Sequence, residues 1–199
     1  VSRHLLTLAL IATLAACASS TPAPVAPAPA EEATAAEPEP PPAPPPSVAR
    51  TATEDGFAIR IPGAAQVMRN KVTIPAGEVN TAAWTASVDG VIYSISFADY
   101  PEKLVRARPA SAFLDEARDG LVNQLKGTLV EETAIALADH PGKAFTVTSE
   151  NGDVKARCYL VGGRLYTLLV LYNPALGAKQ LDAFLGSLEL TRTVAPLTK

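Results

Sequence analysis

Soft metal ligands and general bases are scarce in this chain of 199 residues. It holds only two histidines and two cysteines. His4 lies close to the N-terminus, so the body of the chain has His140 alone. A zinc site needs three or four ligands of the His, Cys or carboxylate type, and one histidine with one or two cysteines does not supply a typical one. A Ser-His-Asp arrangement needs a histidine held by a carboxylate and facing a nucleophile. His140, beside Asp139, is the single candidate, and the reading preferred for it is a solvated turn residue. No Gly-rich phosphate loop, dinucleotide fingerprint or nucleophile elbow occurs. No catalytic residue, metal ligand or cofactor is therefore expected. Glu131 and Glu132 are adjacent, so on a strand they point to opposite faces, which disfavours joint acid–base work.

Charge of one sign is also lacking. The net charge is only −3, and acidic and basic residues nearly balance from Thr51 onward. Without a basic block, a nucleic-acid partner is not expected. Long apolar runs are missing too. Leu5 to Ala16 is the longest near the N-terminus, and about twelve residues fall short of the roughly twenty that span a bilayer.

That short run has a function of its own. Arg3 precedes it, small residues follow, and Leu14-Ala15-Ala16-Cys17 closes it. The pattern resembles a bacterial lipobox, in which Cys17 is acylated and becomes the first mature residue. Val1 is read as an alternative start codon. An ordinary secretory signal cut within Ala16-Cys17-Ala18 is the rival. Two or three acyl chains, at about 0.8 kcal/mol per buried CH₂, make a firm anchor in membrane lipid. Ala18 replaces the aspartate of inner-membrane retention, so the expected location is the outer membrane, with the domain facing periplasm or cell surface. The expected leader is 1–16.

Proline, by contrast, is abundant, with 18 in the chain, and most precede residue 50. From Cys17 to Arg50 alanine, proline and glutamate dominate, and 41-PPAPPP-46 is almost pure proline. Such a segment buries too little apolar surface to repay ordering. It is expected to be a spacer, extended at about 3.1 Å per residue where it adopts polyproline II. A folded domain is expected over 51–192 and a loose tail over 193–199. With Cys17 acylated, Cys158 has no intrachain disulfide partner, and it reads as a buried small hydrophobe.

The domain's strands are legible. Phe57, Ile59 and Ile61 alternate with polar or small residues before Pro62-Gly63. A weaker strand covers 66–73. Asn80 to Val88 and Val91 to Asp99 flank Asp89-Gly90, a favoured type I′ turn. Folding about that turn sets Trp84 opposite Ile95 and Ala82 opposite Phe97 on one greasy face, so Trp84 is read as core. Pro109 to Lys126 reads as a helix with Phe113, Leu114, Ala117, Leu121 and Leu125 inward and Gly127 as its C-cap. Asp115, Glu116 and Asp119 are read as a solvated flank of that helix. Strands follow over 128–138, 143–149 and 154–172, the last split by Gly162-Gly163, with His140-Pro141-Gly142 and Asn151-Gly152 as turns. Asn173 and Pro174 open a final helix carrying Leu181, Phe184, Leu185 and Leu188. Segregated strands and helices imply an α+β fold, one antiparallel sheet of about six or seven strands packed by two main helices.

These features in this order resemble the PsbP-like family, named for an extrinsic protein of photosystem II and shared by bacterial lipoproteins. The residues that carry the resemblance are 55-DGFAIRIP-62, 141-PGKAF-145, 164-RLYTLLV-170 and 184-FLGSLEL-190. The resemblance implies an α/β/α sandwich with a central antiparallel sheet, a noncatalytic role and a protein partner. A small-ligand or lipid carrier, using a pocket between sheet and helix, is the alternative.

Overall fold

The computed structural model describes residues 47–52, 55–176 and 181–191. The chain divides into two units, Val1–Pro44 and Pro45–Lys199. The first unit, with the expected leader, Cys17 and most of the proline-rich spacer, lies outside the described residues.

The second unit is an α+β sandwich around a seven-stranded antiparallel sheet. Its strands are β3 (Gln66–Ile74), β4 (Gly77–Val88), β5 (Val91–Asp99), β6 (Thr128–Leu137), β7 (His140–Ser149), β8 (Gly152–Val161) and β9 (Arg164–Tyr172), in the order β3-β4-β5-β9-β8-β7-β6. Two hairpin series thus meet at the β5–β9 pairing. The hairpin register is the one the sequence dictates, with Val88 opposite Val91, Ala86 opposite Tyr93, Trp84 opposite Ile95 and Ala82 opposite Phe97. Asp89 and Gly90 both take positive φ, 52° and 77°, as a type I′ turn requires.

Alternation sends the strands' apolar residues into two layers of core. On one face Trp84, Ile95, Phe97, Tyr166 and Leu168 pack under β2 (Phe57–Pro62) and the short helix α3 (Leu181–Leu185). Phe57 stands edge-on to Trp84, ring centroids 5.0 Å apart. On the other face Phe145, Val147, Val154 and Cys158 pack under α1 (Glu102–Arg106) and α2 (Ala110–Leu125). β9 feeds both layers, which is why 165-LYTLLVLY-172 is apolar at almost every position.

Several local expectations need correction. β2 belongs to a second sheet of three strands, between β1 (Ser47–Ala52) and β10 (Glu189–Leu190). β1 therefore crosses the boundary expected at residue 50. The turn before β7 is Ala138-Asp139, with Ala138 at φ 50°, and His140-Pro141-Gly142 is strand. Proline is tolerated there because β7 pairs with β8 only from Gly142 onward, so no second ladder needs the missing N–H. Over the expected final helix, a 3-10 turn covers Pro174–Leu176 and α3 covers Leu181–Leu185. Asn173 does cap that turn, its Oδ1 accepting from the Ala175 N–H at 3.0 Å.

The end of α2 also differs. Lys126, not Gly127, takes the left-handed conformation, at φ 50°. Its N–H reaches the Asn123 carbonyl and the Gly127 N–H reaches the Val122 carbonyl, a Schellman closure. Gly127 serves close approach instead, since a Cβ there would lie 2.5 Å from Val147 Cγ1.

Candidate functional site

A cleft of about 490 Å³ opens over the middle of β3, the first half of β4 and the ends of β5 and β9, beside the turn that leads into β2. Arg69 and Lys71 enter it from β3, Asn80 from β4, Phe97 and Asp99 from the end of β5, and Arg164 from the start of β9. Asp55, in the turn before β2, closes one side. Pleat explains the convergence. Arg69 lies opposite Ala82, Ala82 opposite Phe97 and Phe97 opposite Tyr166, so these side chains form one row across four strands.

Arg164 organises the cleft. Its Nε and Nη2 donate to the two carboxylate oxygens of Asp99 at 2.5 and 2.7 Å. Its Nη1 donates to the Asp55 carbonyl, and its guanidinium lies 3.8 Å from the centre of the Phe97 ring. Burial alone lowers the Arg164 pKa, but the Asp99 and Tyr166 bonds outweigh it and the net direction is upward. Arg69 makes a second bidentate pair, Nη1 and Nη2 donating to Asp55 Oδ1 and Oδ2 at 2.9 and 2.8 Å. That bond holds the Asp55 carboxyl below the usual carboxylate range, against the opposing effect of its own burial. Lys71 meets Glu78 at 2.6 Å in a pair that is more than half exposed on both sides. Three cations and two carboxylates thus line an open, polar cleft. It suits contact with a polar, charged surface better than enclosure of an apolar molecule.

The residues weighed from sequence go elsewhere. His140 is buried, and its Nδ1 has no hydrogen-bond partner among the described residues. It is therefore not the solvated turn residue expected, and its Nδ1 makes no bond to Asp139 of the kind a triad needs. Asp115, Glu116 and Asp119 are ion-paired rather than merely solvated. Lys143 Nζ lies 2.5 Å from both Asp115 and Glu132, and Arg118 bonds Asp115, Asp119 and Glu132. Glu116 bonds Arg108. These contacts fasten α2 to β6 and β7, and the bond from Lys143 lowers the pKa of Asp115 and of Glu132. Glu131 pairs with Thr146 across the sheet while Glu132 pairs with Phe145, so the two carboxylates do leave on opposite faces. Among the described residues no group of three or more His, Cys, Asp or Glu is placed to hold a metal ion. Cys158 is fully buried, and burial pushes its thiol up to about 11 despite the hydrogen bond to Thr167. Such a thiol carries little thiolate at neutral pH.

The cleft itself was not legible beforehand. Asp99 and Arg164 are 65 residues apart and Asp55 and Arg164 109 apart, and each is an unremarkable charge at the end of a strand or in a turn. The one local signal is Arg164 directly after Gly162-Gly163, a long cation at the mouth of an otherwise apolar strand.

No family model matches the chain, and no curated protein matches it by sequence. Solved structures do. Cyanobacterial PsbP from Synechocystis sp. PCC 6803 superposes with a TM-score of 0.52 at 12% identity, over 72% of this chain and 91% of that one. A Pseudomonas aeruginosa protein of unknown function aligns with a TM-score of 0.37 at 14% identity, over 77% of this chain and 99% of that one. The fold is PsbP-like.

Proposed function

We propose that this chain is a noncatalytic envelope lipoprotein whose tethered domain binds or scaffolds a protein partner. Cys17, acylated, holds it to the outer membrane, and the proline-rich segment lets the domain reach away from the lipid surface. The observation that carries the partner reading is the chemistry of the cleft. Its cations are clasped by carboxylates, and two of them, Arg69 and Lys71, are more than half exposed, an arrangement that reads charge on another macromolecule and gives specificity. A lipid carrier calls for an enclosed apolar cavity, and this cleft is neither enclosed nor apolar. The PsbP-like fold agrees with the reading by analogy alone.

Crosslinking on intact membranes, followed by mass spectrometry, tests it. The proposal expects one protein recovered with the full-length chain, and recovered less when Arg69 and Lys71 are both changed to Glu. A copurifying small molecule with no such protein would favour the carrier instead.

A further inference from the structure

The two edge strands of the large sheet are not alike. β6 carries a bulge between Leu129 and Glu131, a device that breaks the template for further pairing. β3 has none. Its register against β4 runs unbroken from Gln66 to Ile74. It contains no proline, and among the described residues no strand pairs with its outer side. Nine residues at about 3.3 Å each make an unbroken edge of roughly 30 Å. Val67 and Met68, on its two faces, are 41% and 52% exposed, two of only four large apolar side chains so exposed among the described residues.

The geometry points to β3 as a strand-addition site for an extended segment of a partner protein with carboxylates at every second position. This inference rests on the partner-binding reading and names its surface. A strand added to β3 continues the row that holds Arg69 and Lys71, so its alternate side chains come to lie beside those two cations and over the cleft. Arg69 keeps its bidentate bond to Asp55, whereas the Lys71–Glu78 pair, more than half exposed on both sides, contributes little, so Lys71 is the cation that turns to the new carboxylate. Met68, on the opposite face, receives the apolar side chains of the added strand. Main-chain ladder bonds supply affinity and the alternate side chains supply selectivity.

Other occupants fit less well. A second copy pairing antiparallel through β3 sets Arg69 and Lys71 against the same cations, and like charges across a ladder destabilise it. The chain's own 41-PPAPPP-46 lacks the N–H groups that a ladder needs.

The test uses the full-length lipidated chain in detergent micelles and three capped synthetic peptides. They are TVEVEVT, its lysine counterpart TVKVKVT, and TVEVEVT with alternate backbone nitrogens methylated. Hydrogen exchange locates the contact. The inference expects TVEVEVT to slow exchange in 66–74 and to bind at least about tenfold more tightly than TVKVKVT, with the preference reversed by Lys71→Glu. The methylated peptide should not bind. Equal binding by all three, no binding by TVEVEVT, or protection outside β3 would overturn it. A photo-crosslinker placed at Asn70 and, separately, at the exposed Asn123 of α2 distinguishes the two levels of the argument in cells. Capture of a partner's acidic extended segment from Asn70 supports the edge. Capture from Asn123 alone overturns the edge and leaves the partner reading standing. Capture from Asn70 of a second copy of the chain overturns the stated occupant. Capture from neither overturns both.

Discussion

Arg164 and Asp99 face each other as a two-pronged pair, with both guanidinium–carboxylate bonds between 2.5 and 2.7 Å. They stand at the open ends of β9 and β5, where the two hairpin series of the sheet are joined. Arg164 therefore does more than decorate a cleft. It fastens the seam of the sheet and, through the Asp55 carbonyl, the turn that leads into the covering strand β2.

Replacing Arg164 by Met keeps much of the stem over Phe97 and removes the charge. We expect a loss of about 2 kcal/mol, because Asp99 and the Asp55 carbonyl lose their donor while remaining partly buried. Urea midpoints of the single variant, of Asp99→Asn and of the double variant check this. The double variant should cost less than the sum of the two singles. Additive losses would mean that the pair is not coupled.

Acid should weaken the domain partly through Asp55. Its folded pKa is depressed by the Arg69 bond. The stabilisation it gives is therefore complete above the ordinary carboxylate range and is lost as pH falls through that range toward the depressed value. Denaturant titrations at successive pH values should show a shallower acid limb in Asp55→Asn than in the wild type. An acid limb of unchanged slope would show that Asp55 is not the responsible group.

The closure of α2 gives two opposite expectations at neighbouring positions. Lys126→Gly relieves a left-handed lysine and should stabilise by about 0.5–1 kcal/mol. Gly127→Ala should destabilise, since the new methyl meets Val147 Cγ1 at 2.5 Å and the Thr148 carbonyl oxygen at 2.7 Å. Thermal midpoints that move the same way in both variants would contradict this account of the helix end.

Cys158 should resist iodoacetamide at neutral pH in the folded protein, since it is fully buried with its thiol raised to about 11. Adding denaturant should expose it to rapid labelling. Labelling of the native protein as fast as of the denatured one would mean that the β8 strand opens readily.

Local patterns carried much of the fold. The Asp89-Gly90 turn dictates the register of β4 and β5 because both residues tolerate positive φ, and alternation then assigns Trp84 to the core. Where the sequence misled, a strong local signal competed with a tertiary one. Pro141-Gly142 reads as a turn, yet the chain reverses at Ala138, a residue with no propensity for φ 50°. The second sheet was hidden because β10 is only two residues long and pairs with β2 across most of the domain. The cleft was hidden for the same reason: its charges come from three strands and one turn, and only the folded sheet brings them together.

The central claim is that a PsbP-like domain works from a lipid anchor at Cys17. Metabolic labelling with radioactive palmitate, followed by membrane fractionation of the wild type and of Cys17→Ser, tests it most directly. The account predicts a labelled wild type in the outer-membrane fraction and an unlabelled variant released from membranes. An unlabelled wild type, or a variant that stays in the membrane fraction, would contradict it.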